Sequence, residues 1–170
     1  MPSVSSLRDK EQNNLFADVG FLFLSLSLCY AFYVKNKEVP MLSWTEIQTR
    51  AAAFAARWRD CAGDERQYGQ TFEKSFMQVF GVDWLEGLHE YQLYLPDGAI
   101  AYVDYLLPGK ILIEMKSRGK SLAAAYSQAM SYVRALKPEE TPALVMVCDF
   151  DQIHVYSLKK EHPYKPFRVR

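Results

Sequence analysis

The chain has 170 residues, 49% hydrophobic and 24% charged, a composition that excludes wholesale disorder, collagen and coiled-coil readings and suits one domain with a short appendage. Twenty basic side chains balance twenty acidic ones, so there is no global positive field to advertise a polyanionic partner. Three cysteines (Cys29, Cys61 and Cys148) are too few and too widely spaced for a disulfide framework or a zinc knuckle, and a reducing, cytoplasmic setting is the expectation.

Residues 1–40 differ from the rest. Residues 19–34, VGFLFLSLSLCYAFYV, are sixteen uncharged, mostly apolar positions between Asp18 and Lys35. A bilayer span takes about 20 residues. Three readings stay open: a dispensable extension upstream of a misassigned start, a membrane anchor, or a helix of the domain. Met41 opens the stretch in which regular patterning begins, so the expected organisation is an extension over 1–40, a domain over 41–158 and a basic tail over 159–170. That tail carries five basic side chains and one acidic, whereas 41–158 carries eleven basic and fifteen acidic.

Ser43-Trp44-Thr45-Glu46 is a capping box, and Ile47, Ala51, Phe54, Ala55 and Trp58 follow at helical spacing. Gly63-Asp64 ends that helix. A second is predicted over Glu65–Phe80, with Phe72, Phe76, Met77 and Phe80 on its core side. The period then changes to two. HEYQLYL (89–95) is predicted as a strand, Pro96-Asp97-Gly98 as a turn, AIAYVDYLL (99–107) as a strand and Pro108-Gly109-Lys110 as a second turn. ILIEMK (111–116) is nearly continuously apolar and hence a central strand. SLAAAYSQAMSYVRAL (121–136) is a strong helix that Pro138 stops. ALVMVC (143–148) and QIHVYSL (152–158) are the last strands. The fold class is α/β with a mixed α+β sheet, in the order α-α-β-β-β-α-β-β.

If Gly109 centres a tight hairpin, Leu107 faces Ile111 and Asp104 faces Glu114, about 5 Å apart on one sheet face. Lys116, two residues beyond Glu114, points the same way. Two carboxylates side by side on an apolar sheet are costly unless something positive lies between them. One resolution is a divalent cation such as Mg²⁺, which takes one or two carboxylates together with substrate phosphate oxygens. The other is a structural Asp–Lys–Glu charge cluster. His89, His154 and His162 are scattered, and no Gly-rich phosphate loop or G-x-S-x-G elbow occurs.

Asp104, nine intervening residues, then Glu114-Met115-Lys116 resembles the D-x(n)-(D/E)-x-K signature of the PD-(D/E)XK nuclease superfamily, without its Pro, since Val103 precedes Asp104. Gln128 and Tyr132, spaced as Q-x-x-x-Y on one helix face, resemble a pair in RecB-like nucleases; a satisfied polar pair at a helix–sheet seam is the alternative. More of the chain is similar to the N-terminal domain of MmeI-like enzymes, type IIG (IIL) restriction-modification proteins that join a nuclease to a DNA methyltransferase. The likeness lies in AAAFAARW, QTF, FGV, PGKILIEMKSRGKSL, AYSQAMSYV and VCDFDQIHVYSL, within 41–158.

The resemblance implies a Mg²⁺-dependent DNA endonuclease that leaves 5′-phosphates, with Asp104 and Glu114 holding the metal and Lys116 assisting the attacking water. Gln70 matches a family glutamine. Glu73, with Glu65 behind it, is the candidate helix acid, although the family's own acid aligns with Ser75; an exposed helical charge is the alternative for Glu73. Lys110, Lys116, Arg118 and Lys120 are expected to form the one local positive patch near the hairpin, and Lys110, Arg118 and Lys120 are assigned to the DNA backbone, contacts to which carry no sequence information. The methyltransferase signatures, a Gly-rich cofactor loop and N-P-P-Y/F, are missing. A separate methyltransferase and target-recognition polypeptide is therefore the expected partner beside DNA. A catalytically silent subunit that docks such a partner is the competing expectation, and a membrane association through 19–34 the third.

Overall fold

The computed structural model of the chain describes residues 42–158 and the backbone of 167–168. Three helices and one six-stranded mixed sheet are formed: α1 (Trp44–Trp58), α2 (Glu65–Val79), a 3-10 turn (Trp84–Glu86), β1 (Leu88–Tyr94), β2 (Ile100–Leu107), β3 (Ile111–Met115), α3 (Leu122–Ala135), β4 (Leu144–Cys148), β5 (Gln152–Ser157) and β6 (Phe167–Arg168). Relative to the expected order, the 3-10 turn and the two-residue β6 are additions. β6 falls within the stretch read as a basic tail and pairs with β5. The apolar run 19–34, the start at Met41, His162 and the tail lysines lie outside the described residues. Among the described residues no helix is long and apolar enough to cross a membrane.

The local chemistry explains the helix starts. Ser43 and Glu46 close the capping box in both directions, Glu46 N donating to Ser43 Oγ at 3.2 Å and Ser43 N to Glu46 Oε2 at 2.7 Å. Asp64 caps α2 by accepting from Gln67 N, and Ser121 caps α3 by accepting from Ala124 N.

Strand order follows chain order, β1 to β6, with β3 and β4 parallel and the other pairs antiparallel. A parallel pair needs a crossover, and α3 supplies it. Every residue of β3 and β4 is buried, because both sheet faces are covered. On one face lie α1 and α2, joined by Phe54, Trp58, Phe72, Phe76 and Phe150; Phe72 meets Phe54 and Phe150 edge-on, with ring centroids 5.0 Å apart in each case. Such pairs contribute roughly 1 kcal/mol each beyond their buried area. On the other face α3 sets Ala125 and Ala129 against Leu106, Leu112, Val145 and Val147, and small side chains let it approach closely.

The β2–β3 register is Tyr105↔Ile113, Leu106↔Leu112 and Leu107↔Ile111, as a turn centred on Gly109 requires. Gly109 sits at φ 70°, a conformation that glycine adopts without steric cost. The ladder stops one step short of Asp104 and Glu114. The β1–β2 ladder likewise omits Glu90 and Asp104, although the pairs on either side, His89↔Tyr105 and Tyr91↔Val103, share one register. Both strands change face there. Tyr105 and Leu107 join the α1/α2 side, where His89 stacks on Trp84 at 3.9 Å, while Tyr91, Leu93, Ala101 and Val103 join the α3 side. His89, Tyr91, Leu93, Ala101, Val103, Tyr105 and Leu107 are all odd-numbered yet divide between the two faces, so simple alternation fails at this one step.

Gly87 makes the contact on which the start of β1 depends. A Cβ there would lie 2.2 Å from the fully buried ring of Tyr105. Gly87→Ala is expected to cost about 1–3 kcal/mol by overpacking, read as a lowered urea midpoint. An unchanged midpoint would contradict this packing.

Candidate functional site

At the C-terminal end of β3 the hairpin and two loops bring charged groups together. Asp104 Oδ2 accepts a hydrogen bond from Met115 N at 2.6 Å. Glu114, 1% exposed, accepts from Lys116 Nζ through Oε1 at 2.6 Å, while its Oε2 is buried with no hydrogen-bond partner. Lys116 Nζ also lies 4.0 Å from Glu65 Oε1. Asp104, Glu114 and Lys116, expected together from the hairpin register, are thus neighbours.

Electrostatics follows from that crowding. Burial pushes Glu114 up to about 8, and the adjacent Asp104 adds to the rise, against the pull of Lys116. Burial likewise lifts Asp104 to about 6, although the Met115 amide and Lys116 favour its charged form. Burial works to lower the Lys116 ammonium, but its bond to Glu114 and the charges of Glu114, Glu65 and Asp104 outweigh this and raise it. Glu114 is therefore the carboxyl that keeps its proton at neutral pH, and the Lys116 ammonium stays charged.

Helix α2 points two more acids at this place, since Glu65, Gly69 and Glu73 recur every four residues along one helix face. Glu73 is 1% exposed and neither of its oxygens has a hydrogen-bond partner, which corrects the alternative of an exposed helical charge. Burial drives its carboxyl well above the usual range, and Asp104, Glu114, Glu90 and Glu65 reinforce the rise. Glu65 ties the helix to β3: its Oε2 accepts from Ser117 N at 3.0 Å, and its own N–H donates to Ser117 Oγ at 3.3 Å. Ser75, by contrast, is turned to its own helix, donating to Thr71 O.

The remaining expected residues divide. Gln128 donates to Tyr132 OH, and the tyrosine, 5% exposed, is raised first by burial and further by the charge of Glu114. Tyr132 lies on the α3 side, close enough for the charges of Glu114, Lys116 and Asp104 to act on it, whereas Gln128 is exposed. Gln70 is exposed on α2. Lys120 is exposed after β3, whereas Arg118 is half-buried, 3.5 Å from Asp151 Oδ1, with its Cβ packed where a side chain on Gly63 would clash. Lys110 occupies the turn at the opposite end of β3, about 20 Å from Lys116 at strand rise. The expected single positive patch of Lys110, Lys116, Arg118 and Lys120 is therefore not formed, because a whole strand separates its members. Among the described residues no three His, Cys, Asp or Glu side chains converge as ligands for one metal ion.

The match to the family model described as "MmeI, N-terminal domain" covers residues 49–168. The chain belongs to the MmeI N-terminal domain family. No curated protein matches the chain, and no solved structure does. The family span runs from within α1 to β6 and so contains every residue of the site.

Two residues that shape the surroundings of the site were not singled out from sequence. Asp149, 3% exposed, accepts from Gly119 N through Oδ2 and from Gln152 N and Asp151 N through Oδ1. It fastens the loop after β3 to the end of β4, and the turn composition of Asp149–Asp151 was its only trace. Glu90 sits opposite Asp104 with φ 48°, and no sequence pattern marks it.

Two predictions follow from this geometry. In the unfolded chain the Glu114 and Asp104 carboxyls titrate near 4.5 and 3.8, whereas folding raises them to about 8 and about 6. Between those values the folded state binds more protons, so metal-free stability falls as pH rises and the loss is complete above a pH of about 8. The groups facing the pair are Lys116, Glu65, Glu73, Glu90 and Tyr132, and Glu73 acts in the same direction. Glu114→Gln is expected to flatten the decline between about pH 5 and pH 8.5 by several kcal/mol, measured by denaturant titration in chelator. Equal slopes for the two proteins would contradict the assignment.

Arg118→Ala is expected to lower the melting temperature by a few degrees, through lost packing and ion pairing. Lys120→Ala should leave it unchanged while weakening binding to duplex DNA at low salt. The reverse pattern would reassign both residues.

Proposed function

We propose that the domain is a Mg²⁺-dependent DNA endonuclease of the PD-(D/E)XK type, serving a type IIG (IIL) restriction-modification system with a separate methyltransferase and target-recognition polypeptide. Membership of the MmeI N-terminal domain family supports a restriction-modification role. The observation that carries the endonuclease reading is the meeting of Asp104, Glu114 and Lys116 beside a half-exposed loop.

The donor set fits a hard cation. Asp104 and Glu114 offer only oxygens, and the buried Glu114 Oε2 lacks a partner. Asp104 and Glu114 would hold Mg²⁺, which when bound supplies charge neutralisation at the phosphate and a more acidic water. The chain's own residues do the rest. Lys116, kept charged by Glu114, lies where it can orient the attacking water and stabilise charge on the phosphoryl oxygens during in-line attack. The Met115 amide holds the Asp104 carboxylate in place. Glu65 and Ser117 lock α2 to the strand that carries the acids. Exposed Lys120 takes the DNA backbone, giving affinity without sequence preference. Tyr132, to which Gln128 donates, faces the same charges from the α3 side.

A second reading, a silent subunit that docks a methyltransferase, is favoured by the lack of a third converging metal ligand among the described residues. Nicking of supercoiled plasmid by the full chain in Mg²⁺ separates the two. The endonuclease reading predicts nicking that chelator abolishes and that Asp104→Ala, Glu114→Gln and Lys116→Ala each reduce by roughly 10²-fold or more. Equal nicking by all four proteins would assign the activity to a contaminant. No nicking by the unaltered chain, with activity restored by neither Mg²⁺ nor Mn²⁺, would favour the silent subunit.

A further inference from the structure

The β1–β2 ladder breaks at one cross-strand pair, and that pair contains Asp104. Leu88↔Leu106 and His89↔Tyr105 on one side, and Tyr91↔Val103 and Gln92↔Tyr102 on the other, all keep the same register. A constant register means that no residue has been inserted, so the break is not a bulge. Instead Glu90 adopts φ 48°, in the left-handed region that a residue with a Cβ enters only at a cost. Such a conformation persists where the surrounding structure imposes it, and it clusters at functional sites.

The consequence is a change of face in both strands. Under strict alternation Asp104 would share the face of Leu106 and lie under α3. Because the phase changes at this position, its carboxylate lies against β3 instead. Lys116 N donates to Cys148 O of β4 at 2.8 Å, so the preceding Met115 N–H points the other way, toward β2. In a continued ladder a β2 carbonyl would accept that bond. Here Asp104 Oδ2 accepts it, at 2.6 Å.

We infer that Glu90 is a positioning residue: its left-handed backbone, rather than its carboxylate, turns Asp104 into the β2–β3 seam and onto the Met115 amide, and so sets where Asp104 meets Glu114 and Lys116. The consequence for hydrolysis rests on the endonuclease reading, whereas the structural claim stands without it.

The test uses full-length variants. Glu90→Gly and Glu90→Asn remove the carboxylate but accept a positive φ, while Glu90→Val, being β-branched, resists it. Two quantities are read: amide hydrogen exchange at Met115 relative to Ile113 in the same strand, and plasmid nicking resolved into kcat and KM. Glu90→Gly and Glu90→Asn should keep Met115 protected and kcat within about threefold of the unaltered chain. Glu90→Val should speed Met115 exchange by about tenfold or more, to the level of Asp104→Ala, and lower kcat by a similar factor with KM nearly constant. Should the valine variant fail to fold, Glu90→Ala is expected to give the same pattern at smaller amplitude. Loss of Met115 protection in Glu90→Gly and Glu90→Asn as well would assign the effect to the carboxylate and overturn the inference. So would a valine or alanine variant that keeps both readouts, or an Asp104→Ala variant whose Met115 stays protected. A chain that never nicks DNA removes the endonuclease reading alone, since the exchange comparison is read without activity.

Discussion

Two carboxyl groups and one ammonium share the end of a strand that is buried on both faces, and most of the site's construction answers the cost of putting them there. Removing a carboxylate from water costs several kcal/mol even after the surroundings relax, and a second carboxylate beside it adds repulsion. The chain offsets part of this with the Lys116–Glu114 pair and the Met115–Asp104 hydrogen bond. The rest remains as raised carboxyl affinities for protons, in Asp104, Glu114 and Glu73 alike. A cluster whose carboxyls are this costly to ionise answers to protons or to a cation, and among the described residues Lys116 is the cation whose charge acts on both Asp104 and Glu114.

The scaffold can bear that cost because the two apolar layers are extensive. Aromatic rings from α1, α2 and Phe150 cover one face of β3 and β4, and the alanine-lined face of α3 covers the other. Beyond the end of β3 the chain leaves the sheet and enters a loop. There the chain switches to polar fastenings: Glu65 with Ser117, and Asp149 with Gly119. These side-chain bonds to backbone groups fix a loop that would otherwise be free to move, which places Lys116 between a packed core and the exposed Lys120.

Much of this was legible in the sequence because it depends on short-range rules. Ser43 and Glu46 announced α1, the stripes through Phe54 and Phe72 named the core, and the Pro108-Gly109 turn dictated the register that brings Asp104 near Glu114. The aim of Asp104 was not legible. Alternation presumes one unbroken strand, and the left-handed residue opposite Asp104 is a glutamate, which carries no turn signal. Glu73 shows a second limit: a charged residue on a helix is ordinarily solvated, and only the packing of α2 against β3 reveals that this one is not. The basic residues show a third. Closeness in sequence suggested one patch, but an extended strand carries Lys110 away from Lys120, and the Gly63 and Asp151 contacts draw Arg118 inward.

The proposed function requires that Asp104 and Glu114 share one divalent cation. Anomalous diffraction from crystals of the chain grown with Mn²⁺ tests it without recourse to activity. The account predicts one strong anomalous peak in contact with oxygens of both carboxylates and beside Lys116. Crystals in which manganese binds elsewhere, while Glu114 keeps only its bond to Lys116, would contradict it.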